Sequence, residues 1–354
     1  MKRFFAISVA AVMTMGLLAG CGSTSETAGS AATEAAPAQT GEAAEDTTAE
    51  TTEGTEAADE ASADGKTYKI GVIQLVEHAA LDASNEGFIA ALDEAGISYT
   101  VDQQNAQGDQ SACQTIAEKL VNDQNDLILA IATPAAQAVA GATSDIPILV
   151  TAVTDPADAG LVESNEAPGG NVSGTSDLTP VKEQIELLQK LLPDAKKVGI
   201  LYCSAESNSE FQAKLAEDAC DAAGLEHEIF TVSSSNEIQS VVESMAGKVD
   251  VIYAPTDNTI AAGMATVSMV ANEKGIPTIC GEEGMVDAGG LATYGIDYYQ
   301  LGYMAGKQAV DILVNGADIS TMPIGYLSAE ECTLKTNEET AEALGIDLSV
   351  LDAE

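Results

Sequence analysis

The stretch Asp126–Ala142, DLILAIATPAAQAVAGA, decides the fold. Its first half, Asp126–Thr133, is a short unbroken apolar run with no polar alternation, which reads as a strand covered on both faces. Pro134 then opens a helix over Pro134–Ala142, where its missing N–H does no harm. A buried strand that passes directly into a helix is one unit of a parallel sheet covered by helices. The same unit recurs in both directions from here. Upstream, Tyr68–Leu75 (YKIGVIQL) reads as strand, Asp82–Ala95 as helix, Ile97–Gln103 as strand and Asp109–Asn122 as helix. Downstream, Ile146–Thr151 and Asn171–Ser176 read as strands.

A second series begins near Val181. Helices are expected over Val181–Leu192, Glu206–Ala223, Glu237–Ala246 and Asn258–Lys274. Strands are expected over Lys197–Cys203, Glu228–Val232, Val249–Pro255 and Pro277–Cys280. Tyr298–Val314 reads as a further helix, and a short tail carries strand character around Pro323–Leu327. So many strands fit two doubly wound sheets in series better than one. The absence of a long flexible linker near Thr179 sets the two lobes face to face.

The N-terminus has a different character. Lys2-Arg3, an apolar run from Phe4 to Leu18, and Leu18-Ala19-Gly20-Cys21 form a secretory signal over 1–20, with a cysteine where bacterial lipoprotein processing would acylate it. An ordinary signal cut nearby, with Cys21 incidental, is the plainer alternative. From Gly22 to Gly65 the chain is small and acidic, with no Lys or Arg. It cannot offset its ordering entropy by burial, so 21–66 reads as an acidic, disordered spacer after an acylated Cys21. The protein is therefore expected outside the cytoplasm, held to a bacterial membrane by lipid.

The chain carries 56 acidic and 14 basic residues, a net charge of −42. That leaves no basic surface to neutralise phosphates, which excludes nucleic acid as a partner. Two histidines are too few for an evident metal site, and nothing implies a cofactor. Enzyme signatures of the GxxxxGK[ST], GxSxG and HExxH types do not occur. The five cysteines after Cys21 form no CxxC pair and read mostly as buried thiols, although a Cys203–Cys220 bridge would suit the compartment.

Ligands of open α/β sheets bind beyond the carboxyl ends of the strands. Those ends carry Gln74 to Asp82, Thr133-Pro134, Thr151 through Asp155-Pro156, Ser204–Asn208, Thr256-Asp257-Asn258, Glu282-Glu283 and Thr293 through Asp297. They are rich in hydroxyls, amides and carboxylates and lack Lys and Arg. Hydroxyls and helix N–H groups can hold a carboxylate, while Asp257 or Glu283 can hold an ammonium. The set describes a receptor for a zwitterion. For any single loop helix capping is the better explanation; the set as a whole is more persuasive than its members. His78 suits a satisfied interior histidine nearly as well as a ligand contact, and core packing accounts for most of the tyrosines.

These blocks resemble the type I periplasmic-binding-protein-like substrate-binding lipoproteins of ABC importers, in the branch with tryptophan-binding members. The carriers are Gln74–Asp82 (QLVEHAALD), Thr133–Ala138, Thr151–Pro156, Asn171–Asp177, Pro255–Asn258, Gly281–Met285 and Ala292–Tyr299, in this order. The resemblance implies two α/β lobes, doubly wound parallel sheets joined by a hinge of three crossing segments near Asp177, Asp297 and Pro323. The N-terminal lobe would be 67–176 plus 297–322 and the C-terminal lobe 177–296 plus 323–354. By the same analogy, Thr133 and Val153, Thr154 and Asp155 face the ligand carboxylate. Asn208, Asp257 and Glu283 approach from the second lobe, with Asp257 foremost for the ammonium. Thr256, Asn258, Tyr294 and Asp297 complete the rim, and Gln74, His78, Leu81 and Asp82 shape the side-chain end. The ligand implied is an aromatic or other apolar amino acid, delivered to an ABC permease with its ATPase. A sensory receptor, a sugar or nucleoside binder, and an extracellular enzyme with an unrecognised site are the alternatives.

Overall fold

The computed structural model describes residues 65–328 and 331–351. The signal segment 1–20, Cys21 and nearly all of the spacer 21–66 lie outside the described residues. Two sheets organise the rest. The first has five parallel strands, β1 (Tyr68–Gln74), β2 (Tyr99–Asn105), β3 (Leu127–Ile131), β4 (Ile148–Val153) and β5 (Val172–Ser176), in the order β2-β1-β3-β4-β5. Strands β3, β4 and β5 are buried at every position, β3 as an unbroken apolar run and β5 (VSGTS) mainly through small polar residues; the edge strand β2 is mostly half-exposed. Helices α1 (Ala79–Glu94), α2 (Gln110–Asn122) and α3 (Thr133–Ala142) link the first four strands.

The chain then crosses to the second lobe through α4 (Val181–Leu191). Its buried Val181, Ile185 and Leu188 recur at helical spacing and press one face onto the sheet, with Leu187 and Leu191 beside them. The second sheet has the order β11-β10-β9-β8-β6-β7. It contains β6 (Lys197–Cys203), β7 (Glu226–Val232), β8 (Val251–Ala254), β9 (Thr278–Cys280) and β10 (Ala292–Gly295), parallel throughout, and an antiparallel edge strand β11 (Thr333–Thr336). Helices α5 (Ser207–Ala223), α6 (Ile238–Met245), α7 (Asn258–Ala262), α8 (Met264–Glu273), α9 (Glu283–Asp287) and α11 (Glu338–Leu344) cover it.

Between β10 and β11 the chain returns to the first lobe as α10 (Tyr298–Leu313). Glycines make this docking possible. A Cβ on Gly302 would stand 1.8 Å from the Ser84 carbonyl oxygen, and one on Gly87 2.0 Å from the Tyr299 carbonyl oxygen. The backbones of α1 and α10 therefore touch directly. Thr175 and Gly325 then form a parallel bridge, laying 324–325 beside β5 before the chain leaves for β11.

Several expectations need correction. The single helix expected over Asn258–Lys274 is broken at Gly263, whose amide bonds back to Thr259 and Ile260 and where a Cβ would strike Ile238. The strand expected around Pro323–Leu327 is one bridge only. The tail contributes β11 and α11, and α9 follows β9, three short elements whose apolar runs are too brief to read. All five cysteines among the described residues are free thiols, four of them buried, so there is no Cys203–Cys220 bridge.

The glycine contact is testable. Gly302→Ala forces a methyl into the α1 backbone and is expected to cost about 1–3 kcal/mol of unfolding free energy, read from urea denaturation. Unchanged stability would show that α10 does not seat against α1 this way.

Candidate functional site

Strand order reverses between β1 and β3 in the first sheet and between β6 and β8 in the second. These switch points are where helices leave for opposite faces, opening a crevice beyond the strand ends. The two crevices face each other. Bonds between the lobes run from Gln212 Nε2 to Thr154 Oγ1 (3.2 Å), between His78 Nε2 and Asn258 Oδ1 (3.2 Å), and from Gln137 Nε2 to Ser207 Oγ (3.3 Å). The lobes are closed on one another.

On the first lobe, Ala132 and Ala152 hold positive φ angles, 81° and 54°, at the ends of β3 and β4. Such backbone strain in non-glycine residues clusters at ligand sites. The N-cap residue of α3 is Ala132, which has no side-chain acceptor, so the first-turn N–H groups of Thr133 and Ala135 have no side-chain cap. Thr133 is 1% exposed and its hydroxyl has no partner. This is a donor cluster suited to a carboxylate.

Opposite lies a buried amide and hydroxyl network. Gln212 Oε1 accepts from the Thr256 hydroxyl (2.9 Å), while its amide reaches Thr154. Asn208 donates to the Thr256 carbonyl (3.3 Å), and its Oδ1, buried, has no partner. Beside this network sit two carboxylates. Glu206 accepts from the amide nitrogens of Asn258 and Thr259, from Asn258 Nδ2 (2.6 Å) and from the Thr259 hydroxyl (2.8 Å). Asp257 accepts from the backbone N–H of Cys203 (2.6 Å) and Ile260 (2.7 Å). Burial and the neighbouring Glu206 raise the Asp257 carboxyl above its usual range. Helix capping is thus what the Asp257 side chain does here.

The other expected residues separate into groups. His78 is half-buried, its Nδ1 has no partner, and burial lowers its pKa against the opposing pull of the Asn258 hydrogen bond and Asp82. Gln74 is buried and donates to Asp82 Oδ1 (2.6 Å), which is itself exposed. Leu81 and Val153 are core residues of the first lobe. Asp155 closes its own loop, taking bonds from the Ala157 and Asp158 amides and from Asn165. Tyr294 packs on the core of the second lobe. Glu283 and Asp297 lie elsewhere, lining an outer cavity of about 410 Å³ with Ala79 and Lys335; Glu283 bonds Thr333 and Asp297 caps α10. Gln212 and Gln184, the latter donating to the Gly281 and Tyr294 carbonyls, stand outside the strand-end segments read from the sequence; Glu206 and Glu282 lie inside those segments and Asp177 at a crossing, but none of the three is singled out there as a site residue. A second cavity between the lobes, of about 350 Å³, is lined by Leu75, Val76, Pro134, Cys203, Glu206 and Thr259, among others. Among the described residues no cluster of His, Cys, Asp and Glu can hold a metal, and no helix is long and apolar enough to cross a membrane.

The family model for ABC transporter substrate binding proteins matches residues 69–350. The chain belongs to that family. As a substrate-binding protein it is a receptor, not an enzyme, and it works outside the cytoplasm with an ABC permease. It is 41% identical, over all of this chain and 94% of the relative, to a tyrosine-binding protein of Clostridioides difficile. A solved ABC domain from Streptococcus pneumonia, in complex with L-Trp, is 40% identical and superposes with a TM-score of 0.77, covering 81% of this chain and 98% of that one. A ligand-free, open substrate-binding protein from Clostridium difficile, 45% identical, gives 0.60 over 79% and 95% of the two chains. The open relative scores lower despite its higher identity, in keeping with the closed lobes seen here.

Buried carboxyls give this binding protein a pH signature. Burial pushes Glu282 to about 7 and Asp177 to about 6, and raises Asp257, whereas unfolding returns each to the ordinary range near 4. Between pH 4.5 and 7 these three carboxyls hold more protons in the folded state than in the unfolded one, so their contribution to stability falls as pH rises, opposed by the one histidine, His78, whose pKa burial lowers. The protein without ligand should melt higher at pH 5 than at pH 7.5, and Glu282→Gln should flatten part of that slope; a rising profile in thermal melts would contradict it.

Proposed function

We propose that this substrate-binding protein takes up an aromatic L-amino acid between its lobes and presents it to an ABC permease and its ATPase. The observation that carries the reading is the cleft's chemistry. An uncapped α3 N-terminus with the unpartnered Thr133 hydroxyl faces buried acceptors, Asn208 Oδ1 among them, with no lysine or arginine between. A zwitterion satisfies donors at one end and acceptors at the other, and would leave few buried polar atoms unpaired. The ligand carboxylate lies at Thr133 and the α3 amides. Its side chain extends past Gln74 and His78 toward the cavity lined by Leu75, Val76 and Pro134, whose size suits a small ligand. The relatives that bind tyrosine and tryptophan support this ligand class.

Lobes 67–176 with 297–322 and 177–296 with 323–354 would rotate about crossings near Asp177, Asp297 and Pro323. A ligand touching both lobes favours the closed form by its differential affinity. Cys21 is the lipid attachment site, and the acidic spacer that follows it holds the lobes off the membrane.

Calorimetry on the purified protein should show L-tyrosine or L-tryptophan binding near the micromolar range, with sugars and nucleosides silent; binding of a sugar and no amino acid would end this reading. Thr133→Val, nearly isosteric, removes one charge-assisted hydrogen bond and should weaken that binding by about 1.5–3 kcal/mol without lowering the melting temperature. In a bacterial host, Cys21→Ala should abolish incorporation of labelled fatty acid and release the protein from the membrane; continued labelling would place the lipid elsewhere.

A further inference from the structure

Four carboxylates among the described residues are buried: Asp177, Glu206, Asp257 and Glu282. Three have both oxygens satisfied. Glu206 takes four donors, Asp257 takes two backbone N–H groups, and Glu282 takes the N–H groups of Gly284 (2.5 Å) and Met285 (2.8 Å). Asp177 differs. Its Oδ2 accepts from the Tyr298 hydroxyl (2.8 Å), but Oδ1 has no hydrogen bond, although the Thr154 hydroxyl stands beside the carboxyl. The residue is 4% exposed. A buried carboxylate with one bare oxygen is costly unless a cation arrives.

Its position fits that need. Asp177 follows β5 directly, and its N–H bonds the Val153 carbonyl (3.2 Å), so it adjoins the loop whose Thr154 reaches Gln212 across the cleft. Strands β3, β4 and β5 are neighbours, which sets the chain ends at Thr133 and Asp177 two strand spacings apart, about 10 Å. The two charged ends of one small dipolar ligand can thus be addressed from strand ends of the same lobe.

We infer that Asp177, not Asp257, is the counter-charge for the ligand's α-ammonium, and that through Tyr298 it ties ligand occupancy to the hinge. This rests on the amino-acid reading above. Tyr298 is the first residue of α10, immediately after the return crossing, and Asp177 is the first residue of the outgoing one. One hydrogen bond therefore spans two crossings, and the ammonium sits on the far oxygen of the same carboxylate. An α-amine would be required of every ligand, whatever its side chain.

The test compares L-tyrosine with its des-amino analogue, 3-(4-hydroxyphenyl)propionate, by calorimetry on the full mature chain. The wild-type protein should prefer the amine-bearing ligand strongly. Asp177→Asn keeps the shape and an acceptor for Tyr298 but removes the charge. It should weaken L-tyrosine roughly 10- to 100-fold and leave the analogue's affinity unchanged, collapsing the preference. Tyr298→Phe, which keeps the charge, should retain the preference; Asp177→Ser carries the expectation of the asparagine variant should that one not fold. Equal weakening of both ligands would make Asp177 merely structural and overturn the assignment, as would an unaffected L-tyrosine affinity. If Asp257→Asn alone erased the preference, the ammonium would belong there. A wild-type protein that binds sugars and no amine fails at the ligand class instead, and this assignment falls with it.

Discussion

The direct backbone contact between α1 and α10 is the constraint on which the architecture turns. Glycines at 87 and 302 let a late helix settle onto a helix from the start of the folded region, with main-chain atoms in contact. Tyr68 adds a tether, its hydroxyl donating to the Leu313 carbonyl (2.9 Å) at the far end of α10. Once α10 belongs to the first lobe, the chain must leave that lobe and come back. Several strands of chain then join two sheets, and the crevices beyond their switch points are obliged to face each other. The cleft follows from that packing.

Much of this was legible locally. Unbroken apolar runs such as Leu127–Ile131 and Ile148–Val153 announce covered strands, and Lys197–Cys203 forms a strand as read. What local reading lacks is long-range pairing. The return of α10 came from family resemblance, although Gly302 and Gly306, four apart on one helix face, already mark a surface where another backbone can approach. The break at Gly263 was overlooked because the flanking apolar spacing continues across it. Short elements such as α9 and β11 escape because a few residues cannot display a period.

The strand-end residues singled out in the sequence are gathered only in part. Thr133, Thr154, Asn208 and Thr256, all at or beside strand ends, lie where the two lobes meet. But the residue types that cap helices are the types that hold zwitterions, and only geometry separates them. Asp257 turned out to be spent on two amides, and Asp155 on its own loop. Gln212 sits inside α5, and Glu206 just before it, with nothing in the local sequence to announce their bonds, because their partners lie some fifty residues away in the chain. Asp177, inside a quoted block, looked like a hinge marker alone.

The buried carboxylates have a further consequence for what the lobes refuse. Lys335, which lines the outer cavity, is already matched by Asp287 (2.6 Å), and the inner walls bear acids without a fixed positive partner. A guest with surplus negative charge, such as glutamate, aspartate or a phosphorylated metabolite, would have to shed its hydration beside like charge with nothing to compensate it. Walls of this kind would select by exclusion, disfavouring dicarboxylates and phosphoesters through their field before any fit of the side chain.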